Sequence, residues 1–393
     1  MKAYNILILC TLAVLSIIQS GCATEVKNDL ISIDITKNYP EKKLFIQDIS
    51  EVAYLTLETN DNYLFSYILG ISDNFIICGN HVDKSFIFFS RTTGKPVSKI
   101  DRHGNGPEEY NLAATSVYSE ENDDFFILDY PRGIKVYNRD GTFKRELKFR
   151  QGSYIGGPEA FYDYDENNLM YYDGFQGTYN DYPTAFVLAS KQDGHITKEI
   201  NIPYEKKISL MFTRKSDGNA IMGAMPKVFF AVRNEKDFLL TEYSTDTVYR
   251  FTSDNQLIPV LVRKPSIQEM QSKIILHSWL EVNDYIFLST NRLEIEWDNP
   301  DDFNQKGYLI EKTTGRIFKS CVQMKDYIGK ELILSPSILS RFSKNDEVGF
   351  ISLPSNELID ANIENRLNGK LKEKVDQLTD DDEYTVMIIK FKK

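Results

Sequence analysis

The sequence predicts an all-β fold, a six-bladed β-propeller of four-stranded blades. Three observations carry that prediction. The first is a recurring hairpin: 86–100, 134–147, 185–200, 248–262 and 308–320 each join an apolar strand, a short polar turn and a second strand. The second is spacing, with the turn glycines Gly94, Gly141, Gly194 and Gly315 lying 47, 53 and 121 residues apart and Asn255 near the middle of the last interval. A hairpin period of this length marks radially repeated blades rather than separate domains. The third is composition: 23 Tyr and 24 Phe among 393 residues, side chains that suit pleated, half-buried surfaces.

Residues 1–21 read as an export signal. Lys2 is the only charge there, and the apolar stretch 6–18 has 13 residues, too few to span a bilayer as a helix. Ser20-Gly21-Cys22 closes the segment and resembles a bacterial lipoprotein box, which implies acylation of the Cys22 thiol and a new N-terminus there. Gln19 stands where that pattern prefers an aliphatic residue, and ordinary cleavage after Ala23 is the alternative. Residues 22–43 are polar apart from a short alternating strand at 31–35 and read as a tether, with the propeller over 44–393.

Within the propeller, 52–58 is a strand without its own hairpin. Blades one to three follow from Tyr67, Ala114 and Ala160, each with four short apolar runs. Blade four begins only after the long segment 203–226, and blade five spans 274–320. The last blade is irregular: 347–353 is strand-like, 355–378 is a helical insertion, and 384–391 is a closing strand. The insertion places Leu358, Ile359, Ile363, Leu367, Leu371 and Val375 at three- and four-residue steps, one apolar helical face. Pairing 52–58 with 384–391 closes the ring and removes two unpaired edges that invite aggregation.

The net charge of −11 argues against a nucleic-acid partner, since phosphate binding needs a basic stripe. Beyond the leader, Cys78 and Cys321 are too few for a disulfide framework and read as small buried residues.

The stretch Arg102-His103-Gly104-Asn105-Gly106-Pro107-Glu108-Glu109-Tyr110 resembles the G-x-G-P-x-E-[FY] connector of NHL-type propellers. With 48–58, Thr245-Asp246-Thr247-Val248-Tyr249 and the acidic stretch 379–383, the chain is most similar to bacterial six-bladed β-propeller lipoproteins. The resemblance implies the fold and export to the cell envelope, with lipid anchoring to the outer membrane; it implies no settled activity.

In a propeller, loops joining strands two and three share a face with the connectors between blades. The turns between strands one and two, and three and four, lie on the other face. The long loops all fall on the connector face, whereas the opposite turns are short and promise little concave surface. A ligand site is therefore expected around Arg102, His103, Glu109, Tyr172, Tyr179, Tyr182 and Trp297, where aromatic faces and hydrogen-bonding groups suit a glycan, peptide or envelope protein. No catalytic residue is assigned. There is no G-x-S-x-G, and His81, His103, His195 and His277 form no paired motif. Asp163, Asp165 and Glu166 alternate as in a calcium loop but lack its Gly and terminal Glu, so they read as a solvated turn; no metal or cofactor is expected. The leading reading is a binding module. The alternative is a carbohydrate-active or lactonase-like enzyme using acids of the connector face.

Overall fold

The computed structural model describes residues 30–393 apart from 130–131, 149–160, 174–183, 216–220, 235, 300–302, 337–338, 340–341, 343–347, 380–381, 383 and 393. The described chain is all-β, with a propeller-like succession of four-stranded antiparallel meanders. Blade 1 runs Tyr67–Ile71, Phe75–Gly79, Phe86–Ser90 and Pro96–Ile100. Blade 2 is Ala113–Ser119, Asp124–Asp129, Gly133–Tyr137 and Phe143–Leu147, and blade 3 is Phe161–Asp163, Asn168–Tyr172, Thr184–Ser190 and Ile196–Asn201. Blade 4 is Ala231–Asn234, Asp237–Thr241, Thr247–Phe251 and Leu257–Lys264, and blade 5 is Ile274–Val282, Tyr285–Arg292, Lys306–Glu311 and Ile317–Gln323.

Among the described residues five four-stranded blades are present, one fewer than the six expected. The remaining large sheet has three strands, Val348–Pro354, Tyr384–Phe391 and Ser50–Thr56. Its first strand carries an isolated bridge from Gly349 to Leu339. The N-terminal strand does pair with the C-terminal one, antiparallel from Thr56 opposite Thr385 to Ser50 opposite Phe391.

The tether is also corrected. Ile31–Asp34 pairs in parallel with the outer strand of blade 4, and Glu41–Phe45 pairs in parallel with the outer strand of blade 5. Residues 31–56 thus lay three strands on three successive sheets. Unpaired outer edges supply the reason, because each added strand satisfies a row of backbone groups.

The middle strands are continuous apolar runs because each blade is covered on both faces by its neighbours. Asp124–Asp129 is buried at every position, whereas the outer strand Phe143–Leu147 alternates between half-buried and exposed before the buried Leu147. Aromatic rings fill the wedges between sheets. Phe86 meets Phe125 at 4.8 Å between centroids, and Phe88 meets Tyr118 edge-on at 5.1 Å. Phe65 joins blade 1 to the closing sheet, 5.7 Å from Phe89 and 6.0 Å from Tyr384. Cys78 and Cys321 are both buried and free.

The repeated turn position is left-handed in every hairpin that marked the repeat. Gly94, Gly141, Gly194 and Gly315 have φ of 73°, 84°, 81° and 66°, and Asn255 has 68°. At Gly94 a second constraint applies: a Cβ would lie 2.1 Å from the carbonyl oxygen of Thr56, whereas at Gly315 nothing stands within 4 Å. Gly315→Ala is therefore expected to cost about 1 kcal/mol, the conformational term alone. Gly94→Ala should cost clearly more, read as a larger fall in the denaturation midpoint. Equal losses in the two variants would show that the turn does not press on the N-terminal strand.

Candidate functional site

The connector after blade 1 is built by its own sequence. The carboxylate of Glu109 folds back over the two glycines, accepting from the Gly106 amide at 2.8 Å. A Cβ on Gly104 would lie 2.0 Å from that carboxylate, so any side chain there would displace it. Gly104 donates to the Tyr110 carbonyl, and the Tyr110 amide to the Arg102 carbonyl, closing the loop. The Tyr110 ring is fully buried near Phe86 and Tyr137, and its hydroxyl donates to the Lys84 carbonyl at 2.6 Å. Burial pushes its phenol far above the usual range.

Blade 2 holds the same connector from below. Tyr137 and Lys135 donate to the carbonyls of Glu108 and Pro107 at 2.8 and 2.7 Å. Asp129, with no exposed surface, accepts the amides of Asn111 and Leu112 and pairs with Arg132 at 2.6 Å. A buried carboxylate with several donors is stable only because all of them are supplied.

A second polar cluster lies between blades 3 and 4. Tyr172 and Glu242 are both buried, and the Tyr172 hydroxyl donates to Glu242 at 2.5 Å. Lys207, from the connector between those blades, reaches Tyr172 at 2.7 Å and both Glu242 oxygens at 3.0 and 2.9 Å. Desolvation draws the Lys207 ammonium below the ordinary lysine value, with Glu242 opposing it. Desolvation and the Glu242 charge together raise the Tyr172 phenol well above its own. The Tyr172 ring stacks on Phe230 at 3.8 Å.

A hairpin that no sequence pattern announced, Phe212–Lys215 with Ile221–Ala224, rises from that connector. It reaches the long loop of blade 5, where Arg214 lies over Trp297 at 5.0 Å and Phe212 stands 6.0 Å from Phe303.

The expected site residues therefore occupy separate settings. Arg102 donates to the Gly141 carbonyl at 2.8 Å, and Glu109 is engaged within its own loop. His103 is exposed beside Tyr110, Tyr172 is in the core, and Trp297 sits against the hairpin. Tyr179 and Tyr182 lie outside the described residues. What reasoning from residue type passed over is apolar. Leu64, Val82, Leu112, Met211, Ile328, Ile333, Ile359 and Ile363 are all exposed by 41% or more, and each belongs to a loop of the connector face. Among the large hydrophobic residues described as exposed, only Leu30 and Val97 lie elsewhere.

Four of these residues come from two adjoining segments. The helices Ser355–Ile363 and Gly369–Val375 replace the single helical run expected there, broken where Asn365 takes φ of 57°. Leu358 and Ala361 face inward, leaving Ile359 and Ile363 outward at a four-residue step. The connector 324–333 is stitched to this insertion: the Ile328 amide donates to the Arg366 carbonyl at 2.8 Å, and Lys330 reaches Glu357 at 3.0 Å. Ile328 and Ile333 thus lie on a segment bonded to the one that carries Ile359 and Ile363.

The sequence profile of a family described as a domain of unknown function, DUF4934, matches residues 30–390. The chain belongs to that family. A solved structure of a Bacteroides fragilis protein described as exported is similar over 93% of this chain and 100% of its own, at 16% identity and a TM-score of 0.62. A DUF4221 family member from Bacteroides vulgatus is similar over 88% of this chain and 99% of its own, at 11% identity and a TM-score of 0.50. At such identities the likeness shows the fold alone. No match was found among curated proteins.

The Lys207 cluster is a stabilising pin between blades, and that has a measurable consequence. Lys207→Met leaves Glu242 buried beside Tyr172 without its cation, so a loss of about 3–5 kcal/mol in unfolding free energy is expected. A loss of a few tenths of a kcal/mol would show that the cluster does not bear on the fold.

Proposed function

We propose that this member of the DUF4934 family is an exported, lipid-anchored propeller that binds a partner protein through its connector face. The observation that carries the proposal is the outward set Ile328, Ile333, Ile359 and Ile363 on two mutually bonded segments. Isolated surface hydrophobics are ordinary, but a concentration on one face marks an interaction surface. The similarity to a bacterial protein described as exported supports secretion, as does the leader that ends in Ser20-Gly21-Cys22. No helix among the described residues is long and apolar enough to cross a membrane.

Anchoring at Cys22, in the outer membrane of a Gram-negative envelope, completes the reading. Only residues 23–30 then separate the lipid from the strand Ile31–Asp34, a fully extended reach of about 30 Å. A ring of six blades belongs to the same proposal. The bridge from Leu339 to Gly349 lies where the innermost strand of a sixth blade would run.

One experiment tests both the surface and the anchor. A photo-crosslinking residue at Ile363 or Ile328, in cells, is expected to give a discrete adduct in the membrane fraction, and one at Val97 none. The Cys22→Ala change should move that protein to the soluble fraction. No adduct from either isoleucine, or the same adducts from Val97, would overturn the surface; membrane retention of Cys22→Ala would overturn the anchor.

A further inference from the structure

The short-turn face was expected to offer little concavity, and between blades 2 and 3 it departs from that. A cleft of about 760 Å³ opens there between the outer strand of blade 2 and the short turns of blade 3. Its size is that of small-molecule sites.

The floor is a closed network of charges. Asp124, 3% exposed, pairs with Lys144 and, at 2.6 Å, with Arg145. Arg145 also donates to the Lys191 carbonyl at 3.0 and 2.7 Å. Lys191, equally buried, pairs with Asp163 and donates to the Asp165 carbonyl, both at 2.6 Å. Asp163 is therefore no solvated turn residue. It neutralises a lysine that crosses from blade 3 to Ser119 of blade 2 at 3.2 Å. This network holds the two blades together and leaves the cleft preformed.

The rim has a different chemistry. Asn122, Asn167 and Gln192 present carboxamides, and Glu166 a carboxylate, that carry no side-chain hydrogen bond or ion pair among the described residues. His195 turns Nδ1 to Asp193 at 2.6 Å, leaving Nε2 available. Every lining residue is polar or charged, none is aliphatic, and the His195 imidazole is the one ring among them.

These observations choose among ligands. An apolar molecule finds nothing to displace water against. Lys144, Arg145 and Lys191 are engaged by Asp124 and Asp163, and the one positive charge left over is offset by Glu166 on the rim, so neither an anion nor a cation meets a net opposite charge. A neutral polyol matches, because each hydroxyl both donates and accepts, as does each carboxamide. We infer that the cleft between blades 2 and 3 binds a neutral sugar, with Asn122, Asn167 and Gln192 reading its hydroxyls. This site lies on the face opposite the proposed protein-binding surface, so either can fail alone.

The test is calorimetry on the whole exported chain with gluco-, manno-, galacto- and xylo-configured neutral trisaccharides, and trigalacturonate as the anionic arm. At least one neutral trisaccharide is expected to bind, with an affinity insensitive to added salt. The double change Asn167→Ala with Gln192→Ala should weaken that binding by about tenfold or more at an unchanged melting temperature, since neither side chain holds the fold. The inference is overturned if no neutral trisaccharide binds, if binding survives in the double variant, or if only trigalacturonate binds and salt abolishes it.

Discussion

Everything in this structure depends on a strand from one end of the chain pairing with a strand from the other. Ser50–Thr56 lies antiparallel to Tyr384–Phe391 along its whole length. An open succession of meanders would leave two exposed edges, each a row of unsatisfied amides and carbonyls. Pairing the ends converts both into one continuous ladder. The strands Ile31–Asp34 and Glu41–Phe45 extend the same logic to blades 4 and 5. Side-chain pairs along the way, such as Lys319 with Glu41 at 3.2 Å, are more than half exposed and add little. Backbone pairing and the packing beneath it hold the segment. Asp326 adds a buried-side clasp, accepting from Gln47 at 2.7 Å and Tyr54 at 2.6 Å.

Closure gives the molecule two unlike faces. Buried polar pins then fix how neighbouring sheets meet. Asp129 captures the connector into blade 2, Glu242 with Lys207 joins blades 3 and 4, and Lys191 with Asp163 joins blades 2 and 3. Each is a charge that the interior tolerates only because it is paired. Their removal should therefore loosen an inter-blade contact rather than a single strand. The two surfaces proposed to bind ligands are made of side chains these pins do not engage: isoleucines on one face and carboxamides on the other.

Much of the fold was legible because its signals are local. A left-handed turn needs Gly or Asn, so Gly94, Gly141, Gly194, Asn255 and Gly315 announced the hairpins. Doubly covered strand centres must be apolar, so 125–128 and 86–89 stood out. The N-terminal strands were harder. Ile31–Asp34 has the alternation of a strand, but its parallel partner Leu257–Lys264 lies far along the chain and leaves no mark nearby, so it read as tether. The G-x-G-P-x-E-Y connector looked like a ligand loop because glycine and glutamate are what loops and sites share; the geometry shows glutamate capping its own loop. The sugar cleft was invisible for the opposite reason. Asn122, Asn167 and Gln192 sit in turns of two blades, where polar residues are ordinary, and only the meeting of the blades makes them a wall.

The central claim is that the terminal strand closes the ring, and chemical denaturation of chains with staged starts tests it most directly. A chain beginning at residue 46 loses two added edge strands and should unfold at a lower midpoint in one cooperative transition. A chain beginning at residue 57 loses the closing strand, and it is expected to show no cooperative transition and to aggregate. A soluble chain from residue 57 that unfolds cooperatively at the midpoint of the chain from residue 46 would contradict the account.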